Sequence, residues 1–157
     1  METMGIEDIC NYLEISSTIG TAGQPTADQF AEIAAAGYEV VVNLALSDST
    51  NALSQERELV EGRGMIYIHI PVVWEDPSEA DLAAFFAAMD RYSGRRVFVH
   101  CVLNYRVSIF VMLYRVLQLG QDVEAAWQSV RQIWEPNDIW LRFADGAVER
   151  REVGAEN

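Results

Sequence analysis

The 157-residue chain carries a formal charge of −13, with 24 Asp and Glu set against 11 Arg and no Lys. That balance repels nucleic acid and anionic lipid, so neither is an expected partner, and any phosphate site must be built by local geometry. Half of the residues are hydrophobic, enough for one domain with a substantial core. No apolar run approaches the ~20 residues of a membrane span, and the first ten residues lack a basic-then-apolar leader, so a soluble cytoplasmic protein is expected.

In chain order, Tyr12 to Ile15 alternates in polarity and reads as a short strand. The stretch GTAGQPTADQF follows and reads as a Gly/Pro loop. Thr26 and Gln29 then form a capping-box pair for a helix whose Phe30, Ile33 and Ala34 share a face and which stops at Gly37. VVVNLAL, from Val40 to Leu46, is a continuous apolar run of the kind buried on both faces of a parallel sheet. A polar loop, SDSTNALS, leads into a helix over 55–62, and Met65 to Ile70 predicts a third strand that Pro71 ends.

VVWEDPSE reads as a loop, from which Ser78 and Asp81 open a helix through Met89. Val97 to His100 is a fourth strand, followed by amphipathic helices over 105–119 and 122–134. A last helix after Pro136 carries Ile139, Trp140 and Phe143. Strands alternating with helices predict a single α/β domain with a mostly parallel sheet of four to five strands, covered by helices. Its core spans about 10–145, and the tail VERREVGAEN is expected to fray. Ligands in such folds sit beyond the carboxyl ends of the strands, where both His100-Cys101 and Trp74-Glu75-Asp76 fall.

The two cysteines are too few for a disulfide framework, and no Cys/His spacing suggests a metal. No cofactor is expected either. Cys10 fits the usual role of a small buried hydrophobe. Cys101 does not, because it stands between a buried strand and a helix. A loop entering a helix N-terminus aims several backbone N–H groups at one point, and the helix dipole adds about half a positive charge. Thiolate is the form such a cup stabilises. Arg106, five residues on, adds a planar fork that matches two oxygens of a phosphate-like anion. The arrangement places a nucleophile beside an oxyanion site. Cys101 is therefore expected to be a solvent-reachable, reactive thiol, and Cys10 an inert one.

VFVHC followed by Arg, Ser and a long helix resembles the phosphate loop of cysteine-based protein phosphatases, the dual-specificity branch in particular. TAGQPTADQFAEIAAAGYEVVVNLAL, IYIHIPVVWEDPSEADLAAFF and VHCVLNYRVSIF, in that order, are similar to a bacterial phosphatase-like domain first catalogued as a domain of unknown function. That domain is sometimes fused to a β-lactamase-like hydrolase. The resemblance implies a dual-specificity-phosphatase-like fold and hydrolysis of a phosphate monoester, on a small molecule or a phosphoprotein, through phosphocysteine. It makes Cys101 the nucleophile and Arg106 the phosphoryl binder, with His100 helping to set the thiol's pKa and Ser108 assisting the leaving sulfur. Val102, Leu103, Asn104 and Tyr105 would complete the anion loop. Asp76 would be the general acid, with Glu75 as the alternative.

The loop departs from the family pattern. A glycine is usual where Asn104 stands, and Arg106 comes one residue early, leaving Val107 in the usual arginine position, while the Cys-to-Ser spacing is kept. Asn tolerates left-handed backbone better than most residues, so Asn104 is expected to replace the glycine. Two other readings stay open: a non-catalytic anion-binding module, and a rhodanese-like sulfurtransferase, whose Cys-to-Arg loop is also short. His69 is expected to be a buried, hydrogen-bonded strand histidine; Gln24 reads as a turn residue, and the resemblance implies that it approaches the site.

Overall fold

The computed structural model describes residues 5–156, with side chains through Arg151. Fraying of residues 1–4 and of Asn157 lies outside the described residues. Five strands form one sheet: β1 (Leu13–Glu14), β2 (Ile19–Ala22), β3 (Val40–Asn43), β4 (Ile66–His69) and β5 (Val97–His100). Their spatial order is β1-β2-β5-β3-β4, and only the β1–β2 pair is antiparallel. The helices are α1 (Gln29–Ala35), α2 (Glu56–Glu61), α3 (Glu79–Arg91), α4 (Tyr105–Leu117), α5 (Val123–Arg131) and α6 (Asp138–Glu156). Among the described residues no helix is long and apolar enough to cross a membrane.

Period-two alternation splits the core into two layers. Val40, Val42, Val97 and Val99 face the large layer covered by α3 to α6. Val41 and Phe98 face the smaller layer, with Phe30, Ile33 and Val60 of α1 and α2. The continuous apolar runs of β3 and β5 therefore bury both faces, as a central parallel strand requires.

One expectation is corrected. Ile19–Ala22 is a fully buried strand and not part of a loop. Its two small residues hide the strand signal, but pairing on both sides with β1 and β5 overrides local propensity. Gly20 is required there, because a Cβ would lie 2.3 Å from the Tyr38 hydroxyl. The last helix, α6, runs through Glu156. Ala144 and Ala147 bury one face of it, and Arg150 pairs with Glu79 at the start of α3.

The cap expected at Ser78 forms, whereas α1 begins at Gln29 with Asp28, not Thr26, at its N-cap. Ser78 Oγ accepts from the Asp81 N–H at 3.1 Å, and Asp122 Oδ2 accepts from the Ala125 N–H at 3.0 Å. Before α1, the Thr26 N–H donates to Gln29 Oε1 at 2.9 Å, the reciprocal half of the capping box.

Phe98 lies at the centre of the smaller layer with no exposed surface, stacked on Tyr12 and edge-on to Tyr38. Phe98→Ala should lower stability by about 3–5 kcal/mol. Urea unfolding followed by circular dichroism measures it, and a loss below about 1 kcal/mol would contradict this packing.

Candidate active site

Alternation decides what the end of β5 presents. His100 shares the parity of Phe98, so its ring enters the smaller layer, fully buried and edge-on to Phe30. Cys101 falls on the other side, in the large layer. The chain then turns at Asn104, whose φ of 71° and ψ of 4° are left-handed, and α4 begins at Tyr105. Asn104 thus occupies the glycine's place as expected.

Three consecutive carbonyls of the loop are gripped from outside. The Cys101 oxygen lies 3.3 Å from His100 Nδ1, the Val102 oxygen accepts from the Gln24 N–H at 2.9 Å, and the Leu103 oxygen accepts from Asn11 Nδ2 at 2.9 Å. In a trans peptide the N–H points opposite to its carbonyl. The amides of Val102, Leu103 and Asn104 are thereby turned away from these anchors and left without a bond to them, as donors for an anion must be. Asn104 Nδ2 bonds the Asn11 carbonyl at 2.8 Å and Thr21 Oγ1 at 3.1 Å, pinning the turn to the chain's start and to β2. Its Oδ1 has no partner, and Asn104, Thr21 and Ser108 border a void of about 10 Å³, room for one water.

A cavity of about 180 Å³ is lined by Trp74, Cys101, Val102, Leu103, Tyr105 and Arg106. Arg106 is 6 % exposed and stays beside Cys101 despite its early position. Its Nη1 donates to the Val72 carbonyl at 2.9 Å, and its guanidinium carbon lies 6.0 Å from the Trp74 ring. One bond orients the fork, whose five N–H donors otherwise suffice for an anion. The aromatic wall is braced from behind: Tyr105 stacks on Trp134 at 4.5 Å, and Trp140 Nε1 donates to the Trp74 carbonyl at 3.0 Å.

Several expectations change here. Cys101 is only 1 % exposed and is reached through this cavity, because its parity turns it into the large layer. Cys10 is the exposed thiol, since the neighbouring Ile9 takes the buried position. Ser108 does not aim its proton at the sulfur: Oγ donates to the Tyr105 carbonyl at 2.7 Å and accepts from Trp134 Nε1 at 2.9 Å. Glu75 and Asp76 line a separate cleft with Pro77, Ile139, Arg142 and Phe143. The Trp74 carbonyl, tied to α6, fixes this divergence. His69 is hydrogen-bonded as expected, with Nε2 2.6 Å from the Ala45 carbonyl, though only half-buried. Ser47 borders a different polar cleft, with Asn43 and Tyr67.

Glu56 went unnoticed in the sequence, where it is one acid among many at a helix start. It is 3 % exposed; Oε2 lies 2.7 Å from His100 Nε2, and Oε1 accepts from Gln24 Nε2 at 2.8 Å. Burial pushes its carboxyl upward, but the hydrogen bond and charge of His100, with hydrogen bonds from Gln24 and Tyr67, outweigh that and hold it below the usual range. The Tyr67 phenol is pushed up to about 12, by burial first and by the Glu56 carboxylate, against the hydrogen bond from Asn43. Only the parity of His100 hinted that a partner was needed on the α2 face. Among the described residues no cluster of His, Cys, Asp and Glu could hold a metal ion.

Fold and loop together define a protein of the dual-specificity and tyrosine phosphatase type. More narrowly, the chain belongs to the family described as "DSP-PTPase phosphatase fused to NAD+ Kinase", which matches residues 5–138. The DUF442 protein of Shewanella putrefaciens CN-32 is 31% identical, with a TM-score of 0.84 over 93% of this chain and 96% of that one. The "Beta-lactamase hydrolase-like protein" of Xylella fastidiosa (strain Temecula1) is 30% identical over 108 residues, 67% of this chain. The match covers 25% of that relative, so the chain spans about a quarter of the length of the curated relatives it matches. At 17% identity, P. aeruginosa TpbA in complex with pTyr shares the fold, with a TM-score of 0.65 over 83% of this chain and 76% of that one.

Gly23 sits where the loop comes closest, and a Cβ there would lie 2.5 Å from the Val102 carbonyl oxygen. The oxygen belongs to the backbone and the Cβ is fixed by its own, so neither can swing aside. Gly23→Ala should cost about 1–3 kcal/mol by overpacking and weaken protection of Cys101 by vanadate. Thermal unfolding and alkylation with and without vanadate measure the two effects; a wild-type result in both would refute the contact.

Proposed function

We propose that the protein hydrolyses a phosphate monoester through a phosphocysteine on Cys101, without a metal. The observation that carries this reading is the shared cavity of Cys101 and Arg106 over the outward-gripped loop. The Cys101 thiolate attacks phosphorus, the new S–P bond replacing the bond to the leaving oxygen. The Val102, Leu103 and Asn104 amides and the Arg106 fork bind the equatorial oxygens, where negative charge is held through the transfer. Water then attacks the phosphocysteine, releasing phosphate and restoring the thiolate.

The leaving oxygen needs a proton unless its alcohol is acidic. Asp76 is the proposed donor, with Glu75 as the alternative, and either must turn from the Arg142 cleft toward Cys101. The cavity is lined chiefly by apolar and aromatic groups, with Arg106 its one cation. A phosphate-bearing small molecule or phosphoprotein suits it, with a single phosphate entering the loop. The divergence of the two acids favours a second reading, an anion-binding module that grips a phosphate group without turnover.

A generic aryl phosphate should be hydrolysed without added metal, and Cys101→Ser should abolish the activity. Arg106→Lys keeps the charge but not the fork, so kcat/KM should fall about a hundredfold. A nearly silent lysine variant would remove Arg106 from the role. Asp76→Asn should lower kcat about a hundredfold on an alkyl phosphate and far less on an activated aryl phosphate; equal, small effects would deny Asp76 the acid's part. Protection of Cys101 by vanadate with no hydrolysis would establish the binding module, and a persulfide formed from thiosulfate would establish a sulfurtransferase.

A further inference from the structure

Among the described residues Glu56 is the only buried carboxylate, and both of its oxygens lead to the Cys101 loop. Through Oε2 it meets His100 Nε2 at 2.7 Å, and His100 Nδ1 lies 3.3 Å from the Cys101 carbonyl. Through Oε1 it accepts from Gln24 Nε2 at 2.8 Å, and the Gln24 backbone N–H holds the Val102 carbonyl at 2.9 Å. Gln24 and His100 stand before α1 and at the end of β5, so α2 supplies the one group that joins them.

The ring's two neighbours are both acceptors. A neutral imidazole has one N–H and satisfies one of them, whereas an imidazolium donates to both. The other groups around the pair do not compete for that charge. Phe30 presents a ring to His100. The Tyr67 hydroxyl faces Glu56, and Arg57, exposed and paired with Glu61, lies over the Tyr67 ring.

We infer that Glu56 is a positioning residue of this site: its buried carboxylate holds His100 as a two-armed donor and Gln24 as a strut, keeping the first two loop carbonyls turned out and their amides turned in. The inference deepens the reading of Cys101 as a nucleophile, but only its kinetic arm rests on that reading. Without the carboxylate, a lone pair of the ring can face either Glu56's replacement or the Cys101 carbonyl. The second case releases the Cys101–Val102 peptide, and the loop's first donor loses its aim.

The test compares wild type, Glu56→Gln, His100→Gln and the double variant. Glutamine keeps the volume of Glu56 and can bond both neighbours, but carries no charge. Alkylation of Cys101 by iodoacetamide at pH 7 is read by peptide mass, separately from the exposed Cys10, beside kcat and KM on an aryl phosphate. Glu56→Gln should slow alkylation and lower kcat by about tenfold or more, with KM changed by less than about twofold. His100→Gln should do likewise, and the double variant should lose much less than the product of the two, since Glu56 acts through His100. An alkylation rate within about twofold of wild type for Glu56→Gln, or losses that simply multiply, would overturn the inference. If Glu56→Gln does not fold by circular dichroism, Glu56→Asp replaces it, with charge kept and reach shortened; wild-type alkylation there overturns the inference equally. Should wild type hydrolyse nothing, the nucleophile reading fails, while the alkylation pattern still decides the part of Glu56.

Discussion

The left-handed turn at Asn104 is the constraint on which the rest of the site depends. It lets the chain leave β5, turn within the four residues Cys101 to Asn104 and enter α4. A non-glycine residue pays about a kilocalorie or more for that conformation, and here the side chain offsets it. Asn104 Nδ2 bonds the Asn11 carbonyl and the Thr21 hydroxyl. The asparagine is therefore both the residue that tolerates the turn and the one that fastens it.

A loop this short cannot hold its own shape, because its polar groups point outward and inward in alternation with none pairing across it. The shape comes from segments far away in sequence. Asn11, Gln24 and His100 fix the three carbonyls, and Val72 orients the arginine. Close approach of the 23–24 backbone is possible only because Gly23 lacks a side chain. The GQP segment thus has a mechanical part: glycine for approach, glutamine for two bonds in opposite directions, and proline to set the chain toward α1.

The Cys101 loop and the acidic loop are built on different supports. The Cys101 loop is braced from the sheet and, through Gln24 and His100, from Glu56 of α2. The two acidic residues after Trp74 sit on a loop tied to α6 through the Trp140 indole, and they face Arg142. The same tie that makes Trp74 a firm cavity wall keeps Glu75 and Asp76 away from it. To reach Cys101 either acid would have to move past Trp74, whereas Cys101 and Arg106 already share one cavity.

The sequence by itself determined the order of elements, the parallel sheet, and the strand-turn-helix with its thiol, asparagine and arginine. Those are local properties: apolar runs, caps and the conformational tolerance of Asn104 are written in adjacent residues. The family resemblance was legible for the same reason, in three short stretches kept in order. Only the tertiary structure decided the rest. Ile19–Ala22 became a strand because two neighbours offered it hydrogen bonds, which no local window on its small residues reveals. Ser108 was lost to Tyr105 and to Trp134, which lies 26 residues further on, and the two cysteines exchanged their expected exposures. Glu56 became a buried partner of His100 for the same cause. Side-chain partners across a sheet depend on which face each strand turns and which helix covers it, and both are settled only when the whole chain has packed.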